Sequence, residues 1–410
     1  MTRKLNLEYG SIFAFYWMFF GVASSFCSAF MLSMGYTNSQ IGIVLAAGSL
    51  ASVLIQPVLA DWADRSRKFH VIKVSGVVVI AMLVFEAAMC MLKQRSLVFS
   101  VIYVVILAFM YSAQPLFNAT CAKLCQTGYQ VNFGTARAIG SVAYALLVMV
   151  LGTFVEKRGM GVVKVTGIVM LFLLLFSIIL TNRTFSAAVK ERPENTDRSD
   201  AGPAAEEDIN LIQFIKRNGL FAFLCLGVVV LYFQNNILNN YMLQILEAVG
   251  GDAEDMGRIF SFMAFIEIPG LVFFGKLRRR FGCRKLIVFS SFAFVAKLLA
   301  MYLAKSVAMV YFAQCFQLIS FSLFLSGMVS FIDEIMDRGE AVKGQALFIA
   351  STTVAGMFSS VFGGLLLDKS GPSQMLLVCV ITCAVGAITV SMLVRKIDRQ
   401  QNSPDRHLSD

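Results

Sequence analysis

Histidine is nearly absent. The chain has two, His70 and His407, in 410 residues. So few exclude a plausible Ser/His/Asp set and any His-Glu-x-x-His zinc motif. They also leave the nine cysteines without imidazole partners for a metal. Cys121/Cys125 and Cys379/Cys383 are four apart, so each pair shares a helix face. These read as small apolar packing residues, with no disulfide framework implied. No glycine-rich loop precedes a Lys-Ser/Thr pair, so the chain encodes no ATPase of its own. The expectation is no enzyme, no metal and no organic cofactor, with a proton as coupling ion.

Charge is scarce too. Only 15% of residues are charged, against about 25% in ordinary soluble domains. Apolar residues make up 58%, more than a soluble core of this size can hide. A spanning helix needs about 20 apolar residues. Twelve candidate runs occur: 11–34, 38–59, 71–92, 98–117, 136–155, 161–181, 219–243, 257–275, 286–304, 307–332, 345–367 and 374–394. Their length and lack of strict alternation predict helices, not a barrel. The predicted fold is therefore an all-α membrane protein with twelve transmembrane helices.

The net charge of +10 does not point to nucleic acid, because of where the cations fall. With both termini inside, the cytoplasmic segments hold most of the lysine and arginine. The outer loops keep only Lys93, Arg95, Lys157, Arg158, Lys305 and Lys369. This bias predicts a multi-pass protein of the inner (plasma) membrane with cytoplasmic termini. The expected partners are a small solute and the lipid bilayer, for a monomer. Some cations are free to touch anionic lipid.

Two spans each carry one costly charge, Glu267 and Lys297. An ionisable group near the bilayer centre costs roughly 2.5–3.5 kcal/mol, so it usually faces a polar cavity or a partner. The spans are joined by a stretch, 275–285, read as a short basic loop with six cations: Lys276, Arg278, Arg279, Arg280, Arg284 and Lys285. Glu267 can serve as a proton switch or as half of a static pair. Glu86 is a second candidate acid.

The polar segment 182–209 reads as a cytoplasmic linker. It divides a six-helix bundle at 1–181 from another at 210–396, followed by a tail at 397–410. Ile209–Arg217 is amphipathic, and reads either as a surface helix or as the start of the seventh span. Three local matches support two homologous halves. The segment 60–68 matches 275–285, 152–159 matches 364–371, and 133–136 matches 343–346, at offsets of 215, 212 and 210. Repeated parallel halves around a midplane site suit alternating access.

On these residues the chain resembles the major facilitator superfamily. The 60–68 and 275–285 segments are similar to that family's Gly-x-Leu-x-Asp-Arg-x-Gly-Arg-Lys motif. The first copy has Ala60 for glycine and keeps Asp64 and Arg65. The second keeps Gly275 but has Arg279 in the acid's place. The resemblance implies a gating role for Asp64, Arg65, Gly275 and Arg279. It also implies two pseudo-symmetric six-helix bundles.

Within the superfamily the chain is similar to the lactose-permease-like sugar–proton symporters. Ile55-Gln56-Pro57 and the stretch from Asn132 to Leu146 carry that likeness. It places Arg137 on the sugar-binding arginine and Tyr144 on the stacking aromatic. Glu267 falls on the carboxylate of span eight, and Lys297 on an arginine that assists proton coupling. Departures are equally plain. Asn118 stands near the sugar-binding carboxylate, while Gln317 and Ser320 replace the His and Glu of span ten. Gln234, Asn235, Asn236, Asn239 and Asn240 replace an Asp pair in span seven.

Read from the residues alone, Arg137 and Tyr144 lie two turns apart on one helix face. A fork of donors beside a flat ring suits a hydroxyl-rich ring, though a snorkelling anchor and a packing aromatic explain them as well. Gln234, Asn236, Asn239 and Gln317 complete the candidate solute-binding set. Membrane amides also serve as helix glue. The expected function is proton-coupled symport of a small neutral polar solute, a sugar first. Nucleoside or aromatic-acid uptake, proton antiport, and a sensor without flux stay open.

Overall fold

The computed structural model describes residues 2–64, 70–92, 94–126, 131–191 and 211–401. No strand occurs among them. In order, the helices are α1 (Thr2–Phe20), α2 (Cys27–Ser33), α3 (Asn38–Asp64), α4 (His70–Met91), α5 (Leu97–Gln126), α6 (Phe133–Arg158) and α7 (Gly161–Glu191). After the next described stretch begins come α8 (Leu211–Arg217), α9 (Gly219–Asn240), α10 (Met242–Glu247), α11 (Ala253–Phe281) and α12 (Cys283–Tyr302). The chain ends with α13 (Val307–Cys315), α14 (Phe321–Ile335) and α15 (Arg338–Gln401).

Among the described residues, ten helices are long and apolar enough to cross a membrane. An eleventh is the pair α1 and α2, bent by 47° after a π-helical turn at Gly21–Ser25. The longest helix, α15, is two helices joined at Gly371, whose φ of 75° and ψ of 177° break the ladder. Counting its arms separately gives the twelve expected spans.

Large apolar side chains face outward. Leu54 and Val272 are each 68% exposed, and Phe223 is 62% exposed. Water would penalise such a surface at about 25 cal/mol per Å², but hydrocarbon does not. Pro57, Pro115 and Pro269 sit inside helices, as membrane helices tolerate.

The described residues fall into two compact units. The first is Met1–Asp197 with Asp252–Ala264 and Ser360–Asp368; the second is Arg198–Gly251 with Phe265–Ser359 and Lys369–Asp410. Glycines permit close backbone approach within each. In the first, a Cβ at Gly257 would lie 2.3 Å from the Val148 carbonyl. In the second, a Cβ at Gly386 would lie 2.6 Å from the Leu231 amide. Small residues at such crossings replace the hydrophobic driving force that lipid removes.

The start of α3 is capped from two directions. Thr37 and Gln40 form a reciprocal capping box: the Gln40 amide donates to Thr37 Oγ1 at 3.3 Å, and the Thr37 amide donates to Gln40 Oε1 at 3.2 Å. Asp368 supplies the rest. Its carboxylate accepts from the Asn38 amide at 3.1 Å and the Ser39 amide at 2.8 Å, and from both side chains. The first three amides of α3 are thereby satisfied, with an anion at the positive end of the helix.

Two expectations about loops need correction. The basic stretch 275–285 is not a loop: α11 runs to Phe281, α12 starts at Cys283, and Gly282 alone turns the chain with φ 79°. Arg278, Arg279 and Arg280 form the last turn of α11, where cations favour the helix dipole. At the other boundary, α7 extends to Glu191, ten residues into the expected linker. Linker residues 192–209, residue 210 and tail residues 402–410 lie outside the described residues. Leu211–Arg217 forms a separate short helix with Phe214 buried, and Asn218 breaks it from α9.

Candidate functional site

In the first unit, α6 begins at an Asn132 cap that accepts from the Thr135 amide. One turn on stands Arg137. Its guanidinium donates to Ser141 Oγ at 2.7 Å and lies 4.0 Å over the Trp17 ring of α1. Gly140 makes this stacking possible, since a Cβ there would reach 2.6 Å from Trp17 Cδ1. Two turns above Arg137, the Tyr144 hydroxyl bonds Ser25 Oγ at 2.8 Å. The π-helical turn bears on this ring: a Cβ at Gly21 would lie 3.3 Å from it. Such turns recur at functional positions.

Trp17 and Tyr111 were not singled out from the sequence. Tyr111 of α5 bonds the Ser24 hydroxyl at 3.4 Å, and its ring lies 6.1 Å from Phe20. A signal did exist. Trp17, Phe20 and Ser24 follow one helical face, and so do Tyr111, Gln114 and Asn118. Asn118 itself is exposed on α5. Guanidinium, indole and phenols offer flat faces plus donors, chemistry suited to a polar ring.

In the second unit, three residues form one chain of hydrogen bonds. Lys297 of α12, with no solvent exposure, donates from Nζ to Gln317 Oε1. Gln317 Nε2 donates to Glu267 Oε1 at 2.7 Å. The turn Phe316–Leu318 between α13 and α14 presents the amide. Gly270 lets α11 approach, as its Cβ would fall 2.6 Å from the Leu318 carbonyl, and Ser322 Oγ donates to the Glu267 carbonyl at 3.1 Å. A direct Glu267–Lys297 contact is not what brings the two charges together. Gln317, expected to bind solute, has both ends of its amide engaged between them. A primary amide can donate from its nitrogen to a carboxylate while its oxygen accepts from an ammonium.

The polar row on α9 divides. Asn236 is half-buried, donates to the Tyr232 carbonyl at 3.2 Å, and sits beside Gly356 of α15. Asn239 is also half-buried. Gln234 departs from the expected set: two residues from Asn236, it points the other way, fully buried, with neither amide atom hydrogen-bonded among the described residues. Helical spacing of 100° per residue explains the difference.

Of the four gating candidates, Asp64 ends α3 with its side chain outside the described residues, where Arg65 also lies. Gly275 sits inside α11 with no atom within 4 Å of a Cβ built on it, so no turn requires it. Arg279 is exposed in the last turn of that helix. Glu86 of α4 is buried behind Gly167 of α7, whose Cβ would reach 2.7 Å from Glu86 Oε1. Nearby Lys164 donates to the Met89 and Leu92 carbonyls at the end of α4.

Comparison with known proteins bears on this arrangement. A maltose permease of Geobacillus stearothermophilus is 22% identical over 365 residues, spanning 88% of this chain and 87% of that one. The solved nucleoside transporter NupG shares the fold with a TM-score of 0.77 at 13% identity, covering 96% of this chain and 99% of that one. The xylose transporter XylE from E. coli, solved in an inward open conformation, gives 0.66 at 13% identity over 95% and 96%. The MFS_1 like family model matches residues 9–378. The chain belongs to that family, and is a multi-pass membrane transporter of the major facilitator superfamily rather than an enzyme.

Proposed function

We propose that this transporter moves a sugar in symport with a proton, that Glu267 carries the proton, and that Arg137 and Tyr144 hold the sugar. The observation that carries the coupled reading is the chain Lys297–Gln317–Glu267. A fully buried ammonium needs a counter-charge. Ionised Glu267 supplies one through the amide of Gln317. When Glu267 takes a proton, that compensation disappears and the balance between conformations shifts. Such a group biases a two-state carrier because its energy differs between the protonation states.

The sugar assignment is supported by the likeness to a maltose permease and by the stacking of Arg137 on Trp17, with Tyr144 on the same helix. On this reading the halves 1–181 and 210–396 alternate access to their polar side chains, the termini are cytoplasmic, and the protein works as a monomer in the plasma membrane.

The test uses proteoliposomes with an imposed proton gradient and a panel of sugars, with nucleosides as comparison. Wild-type protein should accumulate a sugar. Glu267→Gln should keep downhill exchange of that sugar and lose uphill accumulation. Accumulation retained by Glu267→Gln rejects the proton role, and uptake of nucleosides alone rejects the sugar.

A further inference from the structure

A cavity of about 630 Å³ opens where α11 turns into α12. Four elements line it: the end of α11, the start of α12, Glu334 of α14 and Asp398 of α15. Two of its cations are already paired. Arg278 donates to Glu334 Oε1 from Nε at 3.2 Å and from Nη2 at 2.9 Å. Arg284 pairs with Asp398 at 2.5 Å. These pairs tie α11 to α14 and α12 to α15, and cancel their own charge. Arg279 and Lys285 line the same cavity, and neither pairs with a carboxylate among the described residues. Four cations against two carboxylates leave two positive charges there.

The backbone adds to this field. The 20-residue helix α12 starts within the cavity lining, and no side chain caps its first amides at Gly282. Open amides at a helix start favour an anion. Phe281, 47% exposed, also lines the cavity. The neighbouring outward faces of both helices are apolar, with Val272 and Phe289 exposed.

We infer that this pocket binds a phosphate group, with Arg279 and Lys285 as its ligands and the two ion pairs as its frame. Two cations and uncapped amides supply several donors at once, which suits the tetrahedral array of oxygens on a phosphate. An anionic phospholipid would bring both the phosphate and acyl chains for the apolar flanks. Inorganic phosphate would bring the same group alone. The pocket takes no part in the solute site proposed above, so the two readings stand or fall separately.

The experiment is native mass spectrometry on the full chain in uncharged detergent. Phosphatidylglycerol, phosphatidylcholine or inorganic phosphate is added to wild type, to Arg279→Gln/Lys285→Gln, and to Arg280→Gln. Arg280 is exposed on the same turn but does not line the cavity. Wild type should retain phosphatidylglycerol over phosphatidylcholine, and the double variant should retain it about thirtyfold less, two cations being lost. Arg280→Gln should behave as wild type. Binding of inorganic phosphate but not phosphatidylglycerol, lost in the double variant, supports the pocket with a soluble ligand. Equal retention of the bound ligand by wild type and the double variant, an equal loss in Arg280→Gln, or neither binding of inorganic phosphate nor a preference for phosphatidylglycerol over phosphatidylcholine overturns the inference. Thermal unfolding without ligand checks that the double variant is folded. If it is not, Lys285→Gln alone is measured against Arg280→Gln, with the same outcomes deciding.

Discussion

Gln317 shows how one neutral side chain determines what two charged ones cost. Lys297 has no access to solvent, and an isolated buried ammonium is heavily penalised. The Gln317 amide passes the influence of Glu267 to it. Gln317→Leu leaves both charges unbridged and should destabilise the protein by about 3 kcal/mol, as breaking a buried pair does. Lys297→Met together with Gln317→Leu removes the costly charge as well and should recover most of that loss. Thermal unfolding of both variants in detergent checks this; a double variant no more stable than the single one contradicts it. At Arg137 the relevant property is shape. Lysine keeps the charge but loses the planar face that lies 4.0 Å over Trp17. Arg137→Lys should weaken solute binding about tenfold, a cation–π contact being worth roughly 0.5–2 kcal/mol. Titration calorimetry with the transported solute measures it. The sequence made part of this legible. Spacing put Arg137 and Tyr144 on one face of a helix, and both stand on α6. It did not reveal Trp17 beneath Arg137, more than a hundred positions away, or Gln317 between two charges. Pairings across distant segments leave no periodic trace.

At the scale of the helix, glycines that look alike in sequence do different things. Gly257 faces backbone on the opposing helix, with the Val148 carbonyl 2.3 Å and Gly152 Cα 3.0 Å from a built Cβ. Neither neighbour can rotate aside, so Gly257→Ala must part α6 from α11. It should cost about 1–3 kcal/mol or more. Gly275 meets nothing within 4 Å inside a helix, so Gly275→Ala should be neutral or stabilising by up to about 1 kcal/mol. The pair measured by thermal unfolding tests whether close approach, not motif membership, fixes a glycine's role. The motif itself misled on local structure. Its cation-rich composition read as loop, yet arginine, lysine and leucine are good helix formers, and only Gly282 interrupts them.

The cap on α3 gives a prediction with a pH sign. Asp368 is exposed just past the span 345–367, in the connector that Gly371 turns. Partial burial pushes its carboxyl up, but hydrogen bonds from Ser39 and Asn38 outweigh this and hold its pKa below the usual value. A depressed folded pKa gives stability that is full above the unfolded value of about 4 and lost as pH falls through the folded one. Asp368→Ala should therefore lower stability at neutral pH by about 1 kcal/mol, the worth of an N-cap. The gap between variant and wild type should close in acid. A gap that persists unchanged below that range would show that packing, not the charged cap, was lost.

For the whole molecule, the number of spans determines on which side each end lies. Apolar run length made the individual spans legible, with separate runs at 345–367 and 374–394, and Gly371 breaks α15 between them. As one rod, Arg338–Gln401 would be about 96 Å long at 1.5 Å per residue, three times the hydrocarbon core. Broken at Gly371, it has two arms; on the proposed twelve-span topology the total is even and the termini share a side. With that side in the cytoplasm, as proposed from the cation bias, Lys369 should face outside and Lys276 inside. Cys125 and Cys315 are the exposed native cysteines, and replacing them with serine gives a quiet background for labelling. In intact cells a membrane-impermeant maleimide should modify Lys369→Cys within minutes and leave Lys276→Cys untouched until the membrane is permeabilised. An unbroken rod would bury position 369 in hydrocarbon and make it unreactive from either face. The opposite pattern, with position 276 labelled from outside, would invert the molecule and place both the linker and the phosphate pocket on the outer surface.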